Sequence, residues 1–222
     1  MVGIFITFEG LDGAGKSTQI QRVRQRLEDS GQTVVCTREP GGTKLGESIR
    51  EILLNPASVI GPEAEALLYA ASRAELVREV IRPALGEGKI VISDRYVDAS
   101  LAYQGAGLGL GVKRVQSVNS FATGGLEPNL TFLFDLPVET SQERVTKDRG
   151  AQGKEPDRLE RRSQEYFTLV REQFLDIAKA NPKRVHVVNA SLPLDQLEMV
   201  IWKRVMDLMR GNSSAYNKAR DS

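Results

Sequence analysis

Residues Gly10 to Ser17 read Gly-Leu-Asp-Gly-Ala-Gly-Lys-Ser, which matches the spacing G-x-x-x-x-G-K-[ST], and they follow the apolar run Ile4-Phe5-Ile6-Thr7-Phe8. Glycines at these places let a backbone curl round a polyphosphate and aim N–H groups at its oxygens. A helix beginning near Lys16 adds the positive end of its dipole. Lys16, expected to be solvent-accessible, brings a point charge to the β- and γ-phosphates, and Ser17 brings a hydroxyl to a Mg²⁺ that bridges them. The stretch Gly10, Leu11, Asp12, Gly13, Ala14, Gly15, Lys16, Ser17 and Thr18 is therefore the expected binding loop for a nucleoside triphosphate.

Two other polar clusters also close apolar runs. Thr37-Arg38-Glu39-Pro40-Gly41-Gly42-Thr43 follows Thr33-Val34-Val35-Cys36 and joins a guanidinium to pliant backbone. Arg38 can grip a second phosphate through two parallel N–H bonds, and the Pro-Gly-Gly turn lets that substrate approach the main chain. Val91-Ile92-Ser93-Asp94-Arg95-Tyr96 ends in a carboxylate placed as a metal-associated acid requires, with Arg95 beside it. Alone, the first is an ordinary strand-to-helix turn and the second a surface ion pair. Their weight comes from the phosphate loop nearby.

Bringing these clusters together demands a particular scaffold. Short β-rich runs at 4–9, 32–37, 89–94, 130–135 and 184–189 alternate with helical periods at 16–30, 44–54, 62–86, 113–123, 138–148, 156–180 and 192–210. The alternation predicts an α/β three-layer sandwich, with a five-stranded parallel sheet between two layers of helices. Ligands of such sheets collect beyond the carboxyl ends of the strands, so the three clusters converge on one cleft. Residues 1–210 read as a single domain. The charged, apolar-poor segment from Asp148 to Asp157 predicts a mobile loop inside a lid spanning about 141–160. Residues 211–222 are polar and lack a period, which predicts a disordered tail.

Composition narrows the partners. With 30 Lys+Arg against 29 Asp+Glu the net charge is +1, so nothing global favours nucleic acid or an anionic membrane, and any cationic site must be local. No apolar stretch approaches the roughly 20 residues needed to cross a bilayer, and the start of the chain lacks a signal-like segment. A cytoplasmic location is expected. The single cysteine, Cys36, lies in an expected strand and reads as a buried, inert thiol.

Together, Phe8-Glu9-Gly10-Leu11-Asp12-Gly13-Ala14-Gly15-Lys16-Ser17-Thr18, the Arg38-Glu39-Pro40-Gly41-Gly42-Thr43 segment, and Asp94-Arg95-Tyr96 with Ala102-Tyr103-Gln104-Gly105 resemble the thymidylate kinase family. The likeness runs from about Ile4 to Ala180, and the Arg-Glu-Pro-Gly-Gly-Thr segment is its most specific part. It implies a P-loop nucleoside monophosphate kinase fold with a short lid. It also implies transfer of the γ-phosphoryl of ATP to dTMP with Mg²⁺, in dTTP synthesis, by a homodimer.

The resemblance further implies roles for individual residues. Lys16, Arg95, Arg149 and Asp12 would be catalytic. Arg38 and Arg95 would hold the acceptor phosphate, with Asp12 near the acceptor's 3′-hydroxyl and the metal. Tyr69 would stack on thymine and Arg73 would face its O4, a pairing that suits residues four apart on one helix face. Tyr103 would stand beside the sugar, with Gln104 also against dTMP. Ser17, Asp94 and Glu9 would attend the metal. The loop carries no arginine of its own, as in the bacterial subgroup, so a lid cation should reach the transferring group: Arg149 first, then Arg144 or Arg158.

The acceptor is itself a phosphate with a second pKa of about 6, so no strong general base is needed and the obstacle is repulsion between anions. His186, alternating with valines, reads as structural. A P-loop GTPase would carry a guanine-reading Asn-Lys-x-Asp, whereas Asn181-Pro182-Lys183-Arg184 and Asn217-Lys218-Ala219-Arg220 lack its aspartate. Kinases of other nucleoside monophosphates or deoxynucleosides, and a non-catalytic nucleotide-binding module, share the donor loop and stand as alternatives.

Overall fold

The computed structural model describes residues 3–153 and 155–220, with residues 212–220 by backbone alone. Five parallel strands form one sheet in the order β2-β3-β1-β4-β5: β1 (Ile4–Gly10), β2 (Val34–Arg38), β3 (Ile90–Asp94), β4 (Leu130–Asp135) and β5 (Val185–Asn189). The central β1 is buried along its whole length because helices cover both faces, which is why its sequence is nearly continuous in apolar residues. Edge strand β2 is only half covered, and Cys36 on it is exposed, not buried as its apolar neighbours suggest.

Register is what gathers the motifs. Phe8 of β1 pairs with Asp94 of β3, and Asp94 pairs with Arg38 of β2, so the three polar clusters leave the sheet side by side. Alternate side chains serve two cores. Ile6, Phe8, Ile92 and Phe132 pack with Val23 and Leu27 of α1 (Lys16–Asp29) and with Leu197, Ile201 and Val205 of α9 (Leu194–Arg220). Phe5 and Val91 point the other way, towards Leu76, Ile81 and Tyr96. Full burial of each such side chain contributes about 1.5–3 kcal/mol.

Thr43, the last residue of the second cluster, caps α2 (Lys44–Leu54) by accepting from the Gly46 N–H at 3.0 Å. The helix expected over 62–86 divides into α3 (Pro62–Leu76), a π-helical turn (Val77–Ile81) and α4 (Arg82–Gly86). Pro83 lacks an N–H and crowds the preceding turn, and the wider turn before it provides room. Residues 97–107, glycine-bearing and not assigned to an element by pattern, form α5 (Val97–Ser100) and a second π-helical turn (Leu101–Gly107). A Cβ on Gly107 would lie 2.6 Å from the Tyr166 ring, so glycine there permits the packing that holds this turn. It leads into α6 (Val112–Thr123).

The segment expected to form a lid differs from expectation at both ends. α7 (Val138–Gln152) outlasts its predicted end at 148, stopping at Gly153 with φ 62°. α8 (Gln164–Ala180) starts later than 156, because Asp157 accepts from the N–H groups of Leu159 and Glu160 in a turn and Ser163 then caps the helix through Tyr166 N. The expected loop is thus mostly helix and turn, and its Lys154 lies outside the described residues. α9 carries the backbone in helix through Arg220 where a disordered tail is expected from 211, Gly211 alone being too weak a breaker to end it. Asp221 and Ser222 lie outside the described residues.

Candidate active site

Two joined cavities lie beyond the carboxyl ends of β1, β2 and β3. One, of about 460 Å³, is walled by Gly13, Gly15, Lys16, Ser17 and Thr18 of the loop together with Arg38 and Asp94. The other, of about 180 Å³, is lined by Tyr69, Arg73, Ser100, Tyr103 and Gln104. Asp12, Glu39, Arg50 and Arg95 line both, so a molecule in one can meet a molecule in the other.

The loop is shaped by glycine. Gly10, Gly13 and Gly15 have φ of 129°, 70° and 85°, and a Cβ on Gly10 would lie 2.5 Å from the Phe134 carbonyl oxygen. Leu11 and Ala14 turn into the core, so those positions offer a ligand only backbone. Lys16 is buried, not solvent-accessible: its Nζ donates to the carbonyls of Gly10 at 3.1 Å and Leu11 at 2.8 Å. Burial, then the nearby Arg95 charge, hold its pKa below the ordinary lysine value. The charge is folded back onto the loop that an anion would enter.

Ser17 Oγ donates to Asp94 Oδ2 at 3.3 Å, and Asp94 Oδ1 is buried without a partner among the described residues. A hydroxyl and an unspent carboxylate oxygen are the hard donors that Mg²⁺ takes when phosphates complete its shell, so these residues fit the ion. Glu9 departs from its expected role. It is 1% exposed, lines neither cavity, accepts from Tyr96 N at 2.8 Å, and is pushed up to about 8 by burial and by the Asp98 charge. A carboxyl so placed braces the Asp94-Arg95-Tyr96 segment from behind. Among the described residues no three His, Cys, Asp or Glu gather to hold a metal unaided.

Arg95 stands at the junction. Its guanidinium donates to the Gly10 carbonyl at 3.1 Å, to Asp12 Oδ1 at 2.8 Å and to the Tyr103 hydroxyl at 3.3 Å, and lies 4.9 Å over the Tyr103 ring. Its backbone is left-handed, φ 73°, alone in this among the described non-glycine residues. Loss of water at the cleft floor raises the Asp12 carboxyl, but the Arg95 and Lys16 charges outweigh it and leave Asp12 below its usual value. Arg38 is more than half exposed and paired with Glu47 at 3.0 Å, at the mouth of the loop-side cavity.

The second cavity has a different construction. Arg73 is 1% exposed and four of its five N–H donors are hydrogen-bonded: Nε to Glu39 at 2.7 Å, Nη1 to Ser100 Oγ at 2.9 Å and to Asn119, and Nη2 to the Tyr96 carbonyl at 2.9 Å, with Glu39 also ion-paired to Nη2. The pairing of Arg73 with a ring oxygen therefore needs a contact shared or released. Glu39, also buried, keeps Oε1 without a partner among the described residues, and its burial outweighs the Arg73 charge to raise its pKa. Tyr69 lines the same cavity, and burial raises its hydroxyl pKa too.

The three lid arginines part company here. Arg144 donates to the Gly13 carbonyl at 3.2 Å and clamps the loop, while Arg158 donates to the Leu53 carbonyl and to buried Glu65. Arg149 lines the second cavity, held by Asp157 at 3.2 Å and Glu160 at 2.9 Å within the lid. His186 packs edge-on against Phe132 with a 6.4 Å centroid separation, a structural position.

Motif reading missed Arg50, Ser100 and the part played by Glu39. Arg50, which donates to the Pro40 carbonyl at 2.9 Å, lies on α2 about two helical turns beyond Thr43, outside the motif. Ser100 lies in the unassigned segment 97–107. The nearest signal for Glu39 was its place between Arg38 and a Pro-Gly-Gly turn.

Comparison with known proteins bears on this geometry directly. The thymidylate kinase family model matches residues 8–201. A thymidylate kinase of Deinococcus radiodurans is 50% identical over 205 residues, covering 92% of this chain and 97% of that one. One from Symbiobacterium thermophilum is 49% identical, covering 94% and 95%. The crystal structure of a thymidylate kinase from Ehrlichia chaffeensis superposes with a TM-score of 0.73 at 33% identity, covering 92% of this chain and 99% of that one. With a family model spanning the loop, the junction and both cavities, and relatives matched nearly end to end, this chain belongs to the thymidylate kinase family.

Proposed function

We propose that the two joined cavities divide the family's reaction, with ATP in the loop-side cavity and dTMP in the other, and the γ-phosphoryl passing across their junction to give dTDP and ADP. The observation that carries this is the shared wall of Asp12, Glu39, Arg50 and Arg95. Lys16 and the loop N–H groups hold the donor phosphates, and Arg95 holds the acceptor phosphate, with Arg50 and Arg38 adding charge at its edge. Ser17 and Asp94 would hold Mg²⁺, which when bound neutralises phosphate charge. Arg149 leaves Asp157 and Glu160 for the transferring group, because a phosphoryl carrying developing charge is the stronger partner.

For the base, Tyr69 is the stacking platform and Arg73 sets hydrogen-bond polarity. Since Ser100 oxygen accepts from Arg73, its own O–H is left to donate to thymine O4, which cytosine replaces with an amino group. Gln104 meets the ring beside it, and Tyr103, tethered to Arg95, crowds the 2′ position of the sugar. The same reading takes residues 1–210 as a single domain with a lid over about 141–160.

We assign the homodimer to the layer of α2, α3 and α6, where Leu45, Ile52, Leu67 and Phe121 are 49%, 48%, 57% and 92% exposed. Among the described residues no helix is long and apolar enough to cross a membrane. A cytoplasmic location suits the nucleotide substrates. The test is ADP release with ATP and Mg²⁺ across dTMP, dUMP, AMP, CMP and GMP, repeated after chelation. dTMP is expected to be the best acceptor, with activity lost on chelation and restored by Mg²⁺; preference for AMP or CMP would remove the acceptor assignment.

A further inference from the structure

Glu65 is the most deeply buried carboxylate that the reaction leaves unused. It lies on α3 one turn before Tyr69, with its side chain 1% exposed, and it joins three elements. Its Oε2 receives Arg158 at 2.7 Å and Arg162 at 2.6 Å, from the turn that closes the lid. Its Oε1 receives Gln104 Nε2 at 3.0 Å. Gln104 is 2% exposed and lines the acceptor cavity.

The chemistry of that last bond is directional. An amide side chain has one face that donates and one that accepts, and either could point into the cavity. A carboxylate facing two guanidinium groups only accepts, so it takes the NH₂ of Gln104 and turns the amide oxygen the other way. With its NH₂ engaged by Glu65, Gln104 can offer that oxygen to the cavity it lines. Thymine carries a donor at N3, whereas cytosine carries an acceptor there.

We infer that Glu65 is a positioning residue for base choice: it fixes the Gln104 amide so that an oxygen acceptor, not an NH₂ donor, faces the pyrimidine N3. The inference rests on the reading of the second cavity as the dTMP site. Because Glu65 touches no substrate, its effect passes wholly through Gln104. The two arginines hold its other oxygen, Oε2, and tie the same residue to the segment before α8.

The test compares kcat/KM for dTMP and dCMP in one preparation, so that any general loosening of the lid cancels in the ratio. Wild type is expected to prefer dTMP. Glu65→Gln, whose own amide can turn either way, should lower that preference about tenfold, as should Gln104→Ala, and the double variant should lose no more than either alone. An unchanged preference in Glu65→Gln, or losses that multiply in the double variant, would overturn the inference. Should Glu65→Gln fail to fold, Glu65→Asp takes its place: the charge stays and the oxygen withdraws from Gln104 by one methylene, with the same fall expected and an unchanged ratio again overturning it. No preference in wild type, or none lost in Gln104→Ala, would instead defeat the placement of the base.

Discussion

The two halves of the cleft are built on opposite plans. The loop side draws half its lining from one short segment: Asp12, Gly13 and Gly15 to Thr18 supply its floor, and single glycines set its curve. The acceptor side is assembled from α2, α3, the segment after β3 and the turn before α8, and its wall residues are held from behind by buried ionic and hydrogen-bonded groups: Asn119 behind Arg73 and its partner Glu39, and Glu65 behind Gln104. A backbone cradle can lose a side chain and keep its shape. A lattice of buried charges loses its shape with any member, so specificity and stability are joined on that side and separate on the other.

The largest effect is expected at Arg73. Arg73→Ala strands Glu39 without its counter-charge and should destabilise the protein by about 3–5 kcal/mol, read by thermal or denaturant unfolding, while raising the dTMP requirement and narrowing the preference over dCMP. A variant as stable as wild type would break the contrast between the halves. Lys16→Ala should lower turnover about 10²–10³-fold and shift stability by about 1 kcal/mol or less, since the lysine bonds only loop carbonyls. Turnover near wild type in that folded variant would remove Lys16 from the donor site.

Arg149→Ala sharpens the contrast at the lid. Turnover should fall at least about tenfold with dTMP affinity, measured by calorimetry, nearly unchanged, because its charge matters most as the group transfers. A pure loss of dTMP affinity would move Arg149 to the acceptor half. The smallest effect belongs to Tyr103→Phe, which deletes one hydroxyl bond at 3.3 Å but keeps the ring, and should leave dTMP kinetics within about twofold. Tyr103→Ala, by contrast, should admit more ribonucleotide.

The same division explains what the sequence discloses. β1 with its glycine loop, the turn capped by Thr43 and the Asp94-Arg95 step are local signals, each written in adjacent residues, and strand periodicity places them at one edge. Arg50, Ser100 and Glu65 carry no such mark. Glu65 and Ser100 acquire their roles from distant partners, Arg158 and Arg162 for the one and Arg73 for the other, and Ser100 sits just before a π-helical turn that has no distinct periodicity. Burial of Lys16 was equally hidden, since a charged residue in a polar motif gives no hint that the loop closes over it.

The left-handed backbone at Arg95 sets two selections at odds. A φ of 73° costs an arginine about 1–2 kcal/mol that glycine or asparagine would largely avoid. A search for heat-resistant variants that scored folding alone would be drawn to this position and would discard the guanidinium that lines both cavities. Directed evolution of this enzyme towards durability should therefore hold residue 95 fixed and seek its gains on surfaces away from the cleft.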